Sequence, residues 1–125
     1  MPQEDVIKTV MKQYIDRFNQ DDVEGVLSLF GEEATVEDPV GSPAVEGKSA
    51  IAEFYKKVVN GNTRIRLEGP IRGSHSNSGA MALQITTSAE GKTISIPVIE
   101  VMTFDEQGSI ASMKAYWGPG DMVIK

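Results

Sequence analysis

The apolar run ISIPVIEVMTF occupies residues 94–104, and Glu100 is its only charged residue. Side chains alternate between the two faces of an extended strand, so Val98 shares a face with Glu100 while Ile99 and Val101 take the other. Both faces of this predicted strand are therefore apolar. One face can pack on helices, and the other needs a separate cover. A second subunit is the simplest cover, which predicts a homodimer through the outer face of the sheet.

The segments around this strand predict an α+β domain. Helical spacing of apolar residues and turn-forming sequences between the segments define the predicted boundaries. Helices are expected over 3–19 and 49–60, with a short helix between them that includes Phe30 and ends near Gly31; strands are expected over 64–73, 79–88, 92–104 and 109–117. Helices followed by consecutive hairpin-linked strands are typical of a single α+β domain with an antiparallel sheet, here spanning residues 1–125.

Composition excludes several classes of site. The 125-residue chain has no cysteine and a net charge of −6, and its one histidine is His75, in a turn-like stretch. Disulfides, thiolate catalysis and cysteine-ligated metals are thereby excluded. The negative charge argues against nucleic acid and anionic membranes as partners. No secretory signal or membrane span is visible, and a cytoplasmic location is expected.

A second informative stretch is ATVEDPVG at residues 34–41, which places two adjacent carboxylates in an apolar run. In an extended segment Asp38 faces the apolar neighbours, while Glu37 points the opposite way. Desolvation raises the pKa of such a carboxyl group and makes it a better base near neutral pH. Pro39 favours extended geometry at Asp38. The alternative role for Asp38 is that of a loop carboxylate that caps the turn before Gly41.

Two further polar groups fall on apolar faces. Glu100 shares an apolar strand face with Val98, and burying its ionised form there would cost several kcal/mol of folding free energy. Its carboxyl group should therefore be paired or protonated. The alternatives are a glutamate that reaches solvent at the strand edge, or one that pairs with an arginine across the sheet. Tyr14 lies within the apolar stripe of the first helix, so its ring should be buried and its hydroxyl needs a partner.

Taken together, these residues resemble bacterial Δ5-3-ketosteroid isomerases. The resemblance runs almost end to end and is carried by residues 34–41, 52–55, 79–81, 98–102, 104–106 and 113–117. It implies a conical fold of the nuclear transport factor 2-like or cystatin-like type, with three helices on a strongly curved sheet. It also implies a reaction without cofactor or metal, in which a double bond moves into conjugation with the 3-ketone of a steroid.

The resemblance also implies roles for individual residues. Asp38 matches the base that carries the proton, and Tyr14 matches a donor of the oxyanion hole. Glu100 stands where the family usually has an aspartic acid held protonated, a known case of carboxyl pKa tuning. Tyr55 matches the tyrosine that hydrogen-bonds the oxyanion-hole tyrosine. The residues implied for the wall of the steroid pocket are Phe54, Met81, Leu83, Met113 and Trp117.

Two departures from the family pattern affect the expected site. Glu100 is one methylene longer than aspartate, which shifts its donor by ~1.5 Å. Phe30 stands where some members have another tyrosine, so the hydrogen-bond network should contain Tyr55 and Tyr14 only. Alternative functions on the same cone are a polyketide cyclase, an epoxide hydrolase or a non-catalytic protein that binds apolar ligands.

Overall fold

The structure is a computed structural model and describes residues 2–125. Its helices are α1 (Glu4–Asn19), α2 (Val23–Leu27) and α3 (Lys48–Val58). Its strands are β1 (Phe30–Glu37), β2 (Val45–Glu46), β3 (Thr63–Leu67), β4 (Ser78–Ala89), β5 (Lys92–Phe104), β6 (Ile110–Tyr116) and β7 (Val123–Ile124). A single 3₁₀ turn, Pro119–Asp121, joins β6 to β7.

The strands form one sheet in the order β2-β1-β6-β5-β4-β3, with β7 beside β5. Every pair is antiparallel except β1 and β6, which are parallel. The sheet is therefore mixed, and the expectation of a purely antiparallel sheet was wrong at this pair. Register shifts within the β1–β6 and β5–β6 pairs add local twist to the sheet. Three helices pack on the curled sheet, which confirms the α+β cone.

Helix α1 supplies one wall of the core because its apolar residues recur at helical spacing. The buried positions of this helix are Ile7, Met11, Tyr14, Ile15 and Phe18. Its first turn carries Glu4 and Asp5, and its last turn carries Arg17, the charge arrangement that complements a helix dipole. The position of Tyr14 within this stripe places its ring in the core, as the sequence predicted.

Two predicted boundaries were wrong. Phe30 does not end α2 but begins β1, where it pairs with Ile110, because the chain joins the sheet directly after the short helix. The strand predicted over 64–73 ends at Leu67. Gly69 beyond it has φ +138°, which breaks the strand.

The inner and outer faces of β5 alternate as predicted. Val98, Glu100 and Met102 are buried, whereas Ile99 is 46% exposed. Tyr116, its partner in the β5–β6 register, is also 46% exposed. The outer face therefore carries apolar surface in this single chain, and its cover by a second subunit stays a prediction. No helix within residues 2–125 is both long and apolar enough to span a membrane.

Candidate active site

A cavity of about 300 Å³ lies between the inner face of the sheet and the helices. Its volume is at the lower end of the range for small-molecule sites, which are mostly apolar with a few placed polar groups. The lining residues are Tyr14, Phe18, Asp38, Phe54, Tyr55, Lys57, Val58, Asn60, Thr63, Ile65, Ile85, Thr87, Ile96, Val98, Glu100 and Trp117. Within residues 2–125, no group of three His, Cys, Asp or Glu side chains could hold a metal ion.

The cavity has a buried end and an open end. Along β5, Ile96, Val98 and Glu100 line it in succession, because every second residue faces inward. Ile96 is partly exposed, Val98 is buried, and Glu100 is only 1% exposed. At the other end, Lys57 and Asn60 are exposed. The cavity therefore has polar groups at both ends, and exposure rises from Glu100 toward Lys57 and Asn60.

The carboxyl group of Glu100 is buried, and no basic side chain offsets the cost of its charge. Its Oε1 atom has no hydrogen-bond partner among the described residues. Burial, followed by the nearby negative charge of Asp38, raises the pKa of Glu100 from 4.5 to about 8. No basic side chain offsets this rise, so neither solvent exposure nor an arginine partner accounts for Glu100. The neutral, proton-carrying form predominates at neutral pH, and this form can donate a hydrogen bond.

The hydroxyl groups of Tyr14 and Tyr55 lie 2.8 Å apart and share a hydrogen bond. Both rings are buried, and burial together with the charge of Glu100 raises the pKa of each hydroxyl well above its usual value. Phe30 packs against both rings, with centroid distances of 6.4 Å to Tyr14 and 5.6 Å to Tyr55, but has no hydroxyl to extend the pair. When Tyr55 donates to Tyr14, the proton of Tyr14 is free to point into the cavity.

Asp38 directly follows β1 and lies at the cavity wall, where it is half-buried. Burial raises the pKa of its carboxyl group, and a hydrogen bond from Trp117 lowers it in part. That bond runs from Trp117 Nε1 to Asp38 Oδ1 over 3.0 Å. The capping role considered as the alternative belongs instead to Glu37, whose Oε2 accepts from Gly41 N at 2.9 Å. Asp38 is thereby left oriented toward the cavity rather than used in the turn.

The predicted wall residues divide into two groups. Phe54 and Trp117 line the cavity. Met81, Leu83 and Met113 are buried in the core and are not among the lining residues. They occupy inner-face positions, and Met81 lies directly opposite Glu100. Helix α1 packs close to this part of β4 and fills the space in front of it, as shown by the tight approach of Met11 and Ile7 to Gly79.

Several lining residues were not predicted from the sequence, among them residues of α3, of the edge strand β3 and of its neighbour β4. Lys57 and Val58 follow Phe54 by three and four positions, the spacing that places helical residues on one face. That spacing was a usable signal for the α3 wall. The contributions of Ile65 and Ile85 depend on the pairing of β3 with β4, which places these two residues opposite each other.

Comparisons with known proteins agree with this geometry. The model of the SnoaL-like domain family matches residues 11–113. The chain is 35% identical to a steroid Δ-isomerase of Nocardioides simplex over 94% of both sequences. It is 32% identical to the epoxide hydrolase LasB of Streptomyces lasalocidi over 97% of this chain, which spans 44% of that protein. The fold also matches a solved structure of the epoxide hydrolase/cyclase-like enzyme SalBIII, which has a role in pyran ring formation in the polyether salinomycin. That match spans the full length of both chains, with 29% identity and a TM-score of 0.92.

The chain therefore belongs to the SnoaL-like domain family and to the ketosteroid isomerase family, which confirms the resemblance inferred from its segments.

The raised pKa of Glu100 predicts an unusual dependence of stability on pH. Between about 4.5 and about 8 the folded state keeps a proton that the unfolded state has released, so the unfolding free energy of the native protein falls as pH rises. The fall from this group is about 5 kcal/mol. Glu100→Gln removes it, so the variant should gain stability relative to the native protein across that interval. Denaturant unfolding at a series of pH values measures the difference.

The matched control is Glu32→Gln, which makes the same chemical change at an exposed position of β1. Its stability difference from the native protein should stay nearly constant across the same pH series. A Glu100→Gln difference that is equally flat would show that Glu100 ionises normally in the folded state.

Proposed function

We propose that the protein is a cofactor-independent isomerase that moves a β,γ carbon–carbon double bond into conjugation with a ketone, most specifically in a 3-oxo-Δ5-steroid. The observation that carries the proposal is the presence of Asp38, Tyr14 and the unpartnered Glu100 carboxyl in one largely apolar cavity. The 35% identity to a steroid Δ-isomerase supports it. The relatives named above are enzymes.

Asp38 would act as the base that carries the proton. Its ionised carboxylate removes a proton from C4, the carbon between the ketone and the double bond, and the electron pair delocalises onto the ketone oxygen as a dienolate. The protonated Asp38 then returns the same proton to C6, and the double bond is left in conjugation. No atom is gained or lost. The raised pKa of Asp38 suits a group that must both accept and release a proton.

Tyr14 and Glu100 would stabilise the charge that develops on the ketone oxygen. A ketone α-proton is a weak acid, so the base needs hydrogen-bond donors at the oxygen in a site poor in water. Both groups are buried and both carry a proton at neutral pH. The missing partner of Glu100 Oε1 fits a group whose hydrogen bond is made to the substrate. The extra methylene of glutamate would let this donor reach farther than aspartate.

The substrate class follows from the cavity wall. Aliphatic and aromatic side chains from α1, α3 and the sheet match a small apolar ketone with a large fused-ring surface. A homodimer is proposed through the outer sheet face, where Ile99 and Tyr116 are exposed beside each other. A cytoplasmic location is part of the same proposal.

The direct test is ultraviolet absorbance of a 3-oxo-Δ5-steroid mixed with the purified protein. We expect the absorbance of the conjugated enone to grow rapidly with the native protein and to fall by at least two orders of magnitude in rate with Asp38→Asn, which keeps the shape but removes the base. Growth that is equally fast in both proteins would contradict the role of Asp38. No growth with the native protein would contradict the isomerase proposal.

The pH profile of kcat/KM separates the two carboxyl groups. Activity should require Asp38 ionised and Glu100 protonated, which gives a bell with its alkaline limb near pH 8. Glu100→Gln should keep much of the activity, since an amide also donates, and should lose that alkaline limb. A loss in Glu100→Gln as large as that in Asp38→Asn would contradict the donor role of Glu100.

Trp117→Phe removes a hydrogen bond that lowers the pKa of Asp38, so the acid limb of the same profile should move to higher pH.

The second candidate is opening of an epoxide, favoured by the likeness to LasB and SalBIII. The same groups serve this chemistry: Tyr14 or Glu100 would protonate the epoxide oxygen as its carbon–oxygen bond breaks. Asp38 would take the proton from the hydroxyl or water that forms the new carbon–oxygen bond. An epoxy alcohol incubated with the protein distinguishes this reaction from the double-bond isomerisation. NMR would identify a cyclic ether, which has the same mass as the epoxy alcohol, and mass spectrometry would identify a triol, which has gained one water.

A further inference from the structure

The open end of the cavity carries a cation that no ion pair satisfies. Lys57 lies in the last turn of α3 and lines the cavity, and it forms no ion pair with any of residues 2–125. Its neighbour Lys56 does not line the cavity and lies 3.7 Å from Glu53. Both lysines suit the end of a helix, where cations complement the dipole. Only Lys57 also faces the space that a ligand would occupy.

Three polar side chains continue this end of the cavity. Thr63 Oγ1 lies 2.9 Å from Thr87 Oγ1 and 3.3 Å from Asn60 Oδ1. The hydroxyl of Thr63 has one proton to give, and Thr87 keeps its own. All three residues line the cavity together with Lys57. The open end therefore carries a cation and polar side chains, unlike the aliphatic wall between it and Glu100.

Strand register gives the separation of the two polar ends. Thr63 pairs with Thr87, which pairs with Ile94 on β5, six residues before Glu100. At about 3.3 Å per residue, this separates the two ends of the strand by about 20 Å. The side chains of Glu100 and Tyr14 occupy part of that length. A rigid polycyclic ketone held by these two donors would extend its far end toward Lys57.

The charges of the cavity favour one orientation for an anionic ligand. The carboxylate of Asp38 repels a negative group from the buried end, whereas Lys57 attracts one at the open end. Asp21, the acidic residue near the adjacent loop, accepts from Gly61 N and pairs with Arg64 at 3.1 Å. The net charge of −6 disfavours anions in general, so any preference for one would come from this local arrangement.

We propose that Lys57, with Asn60, Thr63 and Thr87, selects a keto acid: a substrate with its ketone at Glu100 and Tyr14 and a carboxylate at the opposite end. The inference rests on the proposed isomerase function and narrows its substrate class. Lys57 is a specificity-determining residue that lies far from the reacting carbons.

The test compares two substrates that differ only at the far end, a 3-oxo-Δ5-steroid with a 17β-carboxylate and its methyl ester. The readout is the ratio of kcat/KM for the acid to that for the ester, measured by enone absorbance. Lys57→Met keeps the aliphatic stem and removes the charge. It should lower this ratio about two- to fivefold, the range for a solvent-exposed ion pair. In the native protein the ratio should also fall as salt rises from about 0.02 M to about 0.5 M, because salt screens exposed charges.

Lys56→Met is the matched control, since it removes a neighbouring charge from the same helix but not from the cavity. Its acid-to-ester ratio should equal that of the native protein. Equal ratios in all three proteins would overturn the inference, and so would an equal fall in the two variants. Circular dichroism confirms that each variant is folded, which is expected because both positions are exposed.

Failure of the proposed function has a different signature. If neither compound is isomerised, the isomerase proposal fails. The open end is then tested by calorimetric affinities (1/Kd) for the conjugated keto acid and its ester, compared as the ratio of acid to ester. A ratio lowered by Lys57→Met alone would support the role of Lys57 without the reaction. Equal ratios, or no binding of either compound, would overturn it.

Discussion

A carboxyl group that is buried without a partner takes up a proton, because the free energy of burying the unpaired charge exceeds the free energy of protonating the group at neutral pH. Glu100 is in that position, 1% exposed and with no hydrogen-bond partner for Oε1 among residues 2–125. Its neutral form makes it a donor, and the cavity around it has the low polarity that keeps it so. The roles proposed for Tyr14 and Asp38 depend on this neutral donor.

The fold gives two carboxyl groups of one cavity different surroundings. Asp38 is half-buried and accepts a hydrogen bond from Trp117, which favours its ionised form. Glu100 has no such donor, and the charge of Asp38 raises its pKa further. In the proposed mechanism this difference assigns the role of base to Asp38 and that of proton donor to Glu100. The same pair suits isomerisation and epoxide opening, which agrees with the range of chemistry named among the relatives.

Much of this arrangement could be predicted from sequence because it depends on local pattern. Alternation along β5 placed Glu100 on the same apolar face as Val98 but left open whether its carboxyl reached solvent. Helical spacing placed Tyr14 in the core. The parallel pairing of β1 with β6 was not predicted, because no local sequence pattern specifies which distant strand becomes the neighbour of β1. The resemblance implied that Met81 lines the cavity, but Met81 is buried in the core, because the packing of α1 on β4 determines which inner residues remain open to the cavity.

Carbon NMR of protein labelled at the glutamate side-chain carboxyl shows whether Glu100 is protonated in the folded protein at neutral pH. We expect one carboxyl resonance at the shift of a neutral acid at neutral pH. That resonance should titrate near pH 8 and be absent from Glu100→Gln. If every glutamate resonance in the native protein has the shift of an ionised carboxylate at neutral pH, Glu100 is charged and the account of the site is wrong.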